Sequence, residues 1–155
     1  MKKVLVCGIL LASSLSSYEI VIDETLKLSP FSRDDSKEVV IDTKRKLMWQ
    51  DDESVKNVQK DWNGAIEYCK NLNFAGFDDW RLPSRMELLS ITDKTKYNPA
   101  IQGGFKNVVS GHYWSSSPYV SDSSYVWVVD FDYGYGHGYD GKRGSSYVRC
   151  VRNSK

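Results

Sequence analysis

The chain has 155 residues, with 21 Lys and Arg against 20 Asp and Glu and a net charge of +1. Such a balance argues against the polybasic face that nucleic acid requires, and the length limits the chain to one domain of ordinary size. Five Trp and ten Tyr say more, because large rings with a polar tip are favoured where an apolar body meets water or a ligand.

The first element is a leader. Met1-Lys2-Lys3 precedes an apolar run from Val4 to Leu15 that is too short to span a bilayer, and Ser14, Ser16 and Ser17 offer a cleavage site. This pattern predicts a signal peptide over residues 1–17, export to the periplasm or beyond, and no membrane span once the leader is removed. Cys7 lies too early in the run to be a lipid-modified cysteine and leaves with the leader. Cys69 and Cys150 remain, and an even count in an oxidising compartment predicts a disulfide between them. The alternative is two separate buried thiols.

Residues 18–37 read as an N-terminal arm or linker, with a short strand at 18–22 and a polar stretch, Ser29-Pro30-Phe31-Ser32-Arg33-Asp34-Asp35-Ser36. Val39 to Asp42 and Leu47 to Gln50 flank the polar Thr43-Lys44-Arg45-Lys46, the pattern of a hairpin. Asp61 then stands as an N-cap before Trp62, Ala65, Ile66, Cys69 and Leu72, which recur at helical spacing up to a stop at Gly76. Asp78-Asp79-Trp80-Arg81-Leu82-Pro83 is an extended entry to a second helix, since the residue before proline is pushed out of the helical region. Ser84 and Glu87 form the capping box of that helix, ahead of Met86, Leu88, Leu89 and Ile91. Asp78 and Asp79 read as turn residues, or as partners of Arg81.

Strand character returns at 112–114, at 125–131 and at 147–151. If Cys150 faces inward from the last of these, Arg149 faces out or toward another layer. Two early helices, with most strands late and the early hairpin joining the late sheet, make the class α+β.

Several of these segments are jointly specific. Leu47-Met48-Trp49-Gln50-Asp51, Ala65-Ile66-Glu67-Tyr68-Cys69, Gly76-Phe77-Asp78-Asp79-Trp80-Arg81-Leu82-Pro83-Ser84, Tyr113-Trp114-Ser115-Ser116-Ser117 and Val148-Arg149-Cys150-Val151-Arg152 resemble the C-terminal domain family of the Legionella collagen-like protein. The resemblance covers residues 38–152; the collagen-like repeats of the namesake do not occur in these 155 residues. It implies a C-type-lectin-like domain, with two helices packed on a mainly antiparallel, loop-rich sheet, exported to the bacterial envelope. It further implies adhesion, with sulphated glycosaminoglycans as ligands. The calcium site of sugar-binding C-type lectins needs Glu-Pro-Asn or Gln-Pro-Asp with Trp-Asn-Asp, because calcium takes several converging oxygens. Those triplets do not occur.

The residues offer three kinds of candidate site. His112 near Ser115, Ser116 and Ser117, and His137 near Asp130, Asp132 and Asp140, supply ingredients of a nucleophile and base, but no glycine-flanked elbow surrounds the serines. The expectation is a protein that is not an enzyme. Asp130, Asp132 and Asp140 lack the spacing of a known metal loop, so the expectation is no metal and no cofactor; the alternative is a non-classical calcium site where the three converge across paired late strands. The ribbon Tyr133-Gly134-Tyr135-Gly136-His137-Gly138-Tyr139 is the ligand candidate. Alternating glycines leave Tyr133, Tyr135, His137 and Tyr139 on one face of a strand, suited to sugar rings, with Lys142 and Arg143 beyond to meet anionic groups. The other reading has these rings packed on the core and the glycines lining a close backbone approach. The functional expectation is a glycan-binding or adhesion module; the alternative is a structural or assembly subunit whose aromatic surface meets an envelope protein.

Overall fold

The computed structural model describes residues 29–154, and for 137–140 the backbone alone. The expected signal peptide and the strand expected at 18–22 lie outside the described residues. The class is α+β with mainly antiparallel sheets, but there are two sheets rather than one. The first is antiparallel in the order β1 (Phe31–Asp34), β2 (Val39–Asp42), β3 (Leu47–Gln50) and β9 (Val151–Asn153). The second runs β4 (Gln59–Lys60), β8 (Ser146–Tyr147), β5 (His112–Pro118), β6 (Tyr125–Asp130) and β7 (Tyr135–Gly141), antiparallel except for the short β5–β8 pairing. Among the described residues three short helices complete the fold: α1 (Ser54–Asn57), α2 (Trp62–Lys70) and α3 (Arg85–Ser90).

Two apolar clusters form the core, and consecutive residues of one strand feed different clusters. Val39, Met48, Trp114, Val128 and Cys150 belong to one, with Ala65 and Cys69 of α2. Val40, Trp49, Tyr113, Val129 and Val151 belong to the other, with Leu88 of α3 and the following Ile91. Side chains alternate along a strand, so covering both faces makes strands read as unbroken apolar runs such as Tyr125-Val126-Trp127-Val128-Val129.

The early hairpin and both helices form where the pattern places them. Asp61 caps α2, its carboxylate accepting from the Gly64 N–H at 2.7 Å. The helix ends at Lys70, ahead of the expected stop. Ala75 (φ 55°) and Gly76 (φ 83°) instead turn a tight reversal in which Phe74 and Phe77 exchange backbone hydrogen bonds of 3.0 Å, as adjacent positive φ values allow.

Two expectations are corrected. Within the stretch read as an arm, Phe31–Asp34 is an edge strand, because Phe31 is buried in the core and Arg33 reaches the carboxylate of Asp51. The strand expected at 147–151 is split between the sheets. Tyr147 lies beside β4 and β5, Val148 N–H donates to Val58 O at 3.2 Å, and Cys150 O accepts from Gln50 N–H at 3.0 Å as the chain crosses to β3. Composition does not record a change of partner within one apolar run.

Cys69 and Cys150 are bonded, with their Cα atoms 5.5 Å apart, and tie α2 to the entry of β9. Arg149 faces another buried layer, as one of its two expected orientations required. Its guanidinium donates to Asp51 Oδ1 at 2.8 Å, to Gln50 O at 2.8 Å and to Asn107 O. Burial pushes its pKa down to about 10, against the opposing effect of Tyr113, so it stays charged at neutral pH. The expected Arg81 partnership is different too. Asp79 pairs with Arg152, whose guanidinium lies 3.7 Å from the Phe77 ring centroid, while Arg81 takes Glu87.

Glu87 closes the capping box. It accepts from Ser84 N–H at 2.7 Å and from Arg81 at 2.7 and 2.8 Å, while its own N–H donates to Ser84 Oγ at 3.2 Å. Burial raises the Glu87 pKa, but the Arg81 and Ser84 donors outweigh it and hold the carboxyl below its usual 4.5. A carboxyl with a lowered folded pKa contributes stability above its unfolded value, and that contribution disappears as pH falls through the folded pKa. Glu87→Gln should therefore flatten the loss of stability below pH 4.5. Urea unfolding across a pH series checks this, and parallel pH profiles for parent and variant would contradict it.

Candidate ligand-binding surface

The turn between β6 and β7 presents the first candidate rings. Asp130 Oδ1 accepts from Asp132 N–H at 2.7 Å and Asp130 O from Gly134 N–H at 3.0 Å, so the chain reverses tightly after Phe131. Gly134 has φ 75°, and a Cβ there would meet the Cβ atoms of Ala100 and Thr92 at 3.2 and 3.3 Å. Glycine is needed for both reasons. Tyr133 lies at this turn and Tyr135 opens β7; they are 61% and 59% exposed.

A third exposed ring, not expected from the sequence, joins them. Asn98 N–H donates to Asp132 O at 2.9 Å, and Ala100 N–H to Phe131 O at 2.7 Å, so the loop after α3 is held against the turn. The peptide joining Tyr97 to Asn98 is thus hydrogen-bonded to the peptide joining Asp132 to Tyr133. Tyr97, 77% exposed, belongs to the same edge as Tyr133. Its only signal in the sequence is a large ring in a polar, non-periodic loop.

In β7 the backbone of His137 lies opposite Val128 of β6, and that of Asp140 opposite Val126. Between these pairs β7 has one residue more than β6, so the two-residue alternation does not run unbroken from Tyr135 to Tyr139. The side chains of His137, Tyr139 and Asp140 lie outside the described residues. Lys142 follows the end of β7. Its Nζ stands 4.5 Å from the Trp62 ring centroid, and its carbonyl accepts from Trp62 N–H at 3.0 Å. Arg143 is exposed in the adjoining turn. Seven residue steps lead from Tyr135 to Lys142, about 23 Å at full extension and 3.3 Å per step. The tyrosine edge and the basic pair therefore stand at opposite ends of one strand.

The other polar candidates are engaged in the fold. Ser115 is buried and donates to Trp127 O at 2.6 Å, and Ser117 Oγ accepts from Arg85 N–H at 3.0 Å. Such bonds satisfy backbone groups at a strand's irregular end. The backbone of His112 lies opposite that of Asp130 in the β5–β6 register, and His112 lines a hollow of about 240 Å³ with Gln59, Asp132, Ser145, Ser146 and Tyr147. Among the described residues, no three His, Cys, Asp or Glu side chains gather to hold a metal ion, and no helix is long and apolar enough to cross a membrane.

The family model of the Lcl C-terminal domain matches residues 38–152, most of the chain. The chain belongs to that family. No curated protein and no solved structure matches it significantly. The Lcl C-terminal domain matched here begins at the turn before β2 and closes within β9, so it contains Cys69, Cys150 and the exposed Tyr97, Tyr133 and Tyr135, whereas β1 precedes it.

Proposed function

We propose that this Lcl C-terminal domain is a non-catalytic, exported glycan-binding or adhesion module of C-type-lectin-like type. The observation that carries the reading is the edge formed by Tyr97, Tyr133 and Tyr135, three exposed rings on a loop and a turn that backbone hydrogen bonds hold together. Such rings offer stacking area at low entropy cost, with a hydroxyl at each tip for sugar hydroxyls. Lys142 and Arg143 extend the reading to anionic glycans, sulphated glycosaminoglycans among them, provided the ligand is long enough to follow β7. The C-type-lectin-like assignment draws support from the arrangement of the ends, since β1 and β9 share one sheet and the disulfide fastens α2 to the last crossing.

Alanine at Tyr133 and Tyr135 tests the reading. Surface substitutions of this kind change stability by about 0.5 kcal/mol or less, whereas loss of a stacking ring lowers affinity by up to about tenfold. Glycan-array binding and thermal melting should therefore separate, with weaker binding at an unchanged melting temperature. A parent that binds no glycan, or variants that bind as the parent does, would favour the structural or assembly subunit.

A further inference from the structure

Arg33, Arg45, Arg81, Arg149 and Arg152 each reach a carboxylate. Arg85 does not. Its guanidinium makes no ion pair or hydrogen bond among the described residues, yet it is held in place. Cζ stands 3.8 Å from the Trp127 ring centroid, and Tyr119 braces that ring edge-on at 5.5 Å. On β7, a Cβ at Gly136 would lie 2.9 Å from both Nε and Nη2 and 3.3 Å from Cζ. Near-equal distances to the two nitrogens, with the carbon farther, put Gly136 at the Nε–Nη2 edge of the guanidinium. Nε is accordingly buried with no acceptor. Any larger residue at 136 would displace the cation.

A guanidinium is a planar fork of donors suited to carboxylate and sulphate oxygens. Here the plane is fixed by a ring and one edge is closed by backbone, while the Nη end has no protein acceptor among the described residues. Fixing the fork in advance removes most of the ordering cost of using it. We propose that Arg85 is an oxyanion-binding residue that takes the carboxylate or sulphate of an acidic glycan at the β7 edge. This deepens the glycan reading and rests on it. Tyr135 is the neighbour of Gly136 in an edge strand, and alternation puts the two on opposite faces, so the ligand would straddle the strand, stacking on one side and charge-paired on the other.

The test uses the oxidised chain and two probes that separate the sources of the oxyanion: tetragalacturonate, which carries carboxylates only, and a sulphated dextran oligosaccharide, with uncharged dextran as control. The Arg85 Nε–H resonance, assigned by its loss in Arg85→Gln, should shift with at least one acidic probe and not with dextran. Arg85→Lys keeps the charge but loses the planar fork, and should bind that probe about tenfold more weakly at an unchanged melting temperature. No shift with either probe, or equal binding by Arg85→Lys, would overturn the assignment. If neutral glycans on the array still depend on Tyr133 and Tyr135, the glycan reading survives that result. If the Arg85 resonance shifts while the tyrosine variants bind acidic glycans normally, the oxyanion site stands and the tyrosine edge falls.

Discussion

Cys69→Ala should lower the stability of the domain by about 2–5 kcal/mol in denaturant unfolding. The disulfide spans a separation of 81 residues, and a closed loop of that length corresponds to about 4 kcal/mol of unfolded-chain entropy. Packing acts in the same direction, because both cysteines are fully buried in the cluster that joins α2 to β6. The same loss should appear in the parent under reducing conditions. A change of a few tenths of a kcal/mol would show that the bond contributes little to holding the crossing between the sheets.

Asp51→Ala should be as damaging, at about 3–5 kcal/mol, since removing one partner of a buried pair leaves the other charge uncompensated. Asp51 is fully buried and accepts from Arg149, Arg33, Lys106 N–H at 2.9 Å and Asn107 N–H at 3.2 Å. Its carboxylate thus gathers β1, the end of β3, the loop at 105–107 and the final crossing. Asp51→Asn keeps the shape and some acceptors and should cost less. Equal, small effects from both variants in urea unfolding would mean that Arg149 finds another partner or water.

Local elements were legible where one residue's chemistry decides them. Asp61 at the start of α2, the Ser84–Glu87 box of α3 and the hairpin around Thr43 to Lys46 follow from caps, period and turn polarity, which act within a few residues. The cysteine pairing followed from parity and compartment. Illegible were events set by distant partners. The run Tyr147-Val148-Arg149-Cys150-Val151 changes sheets without a change in composition, and Phe31 to Asp34 became a strand because β2 offered an edge. The ligand surface was legible in part. Tyr133 and Tyr135 were visible through their glycines, but Tyr97 joins them only through the hydrogen bond from Asn98 to Asp132, which no local pattern encodes. Arg85 was hidden for the same reason, its neighbours Trp127 and Gly136 lying on two other elements.

The tyrosine edge is the central element of the proposed function. The measurement that addresses it most directly is mapping of tyrosine ring resonances in the oxidised chain during titration with a glycan that binds it on an array. Tyr97, Tyr133 and Tyr135 should be perturbed, with the buried Tyr113 unmoved. Perturbation confined to the residues around His112, Ser145 and Tyr147, with those three tyrosines unchanged, would contradict it.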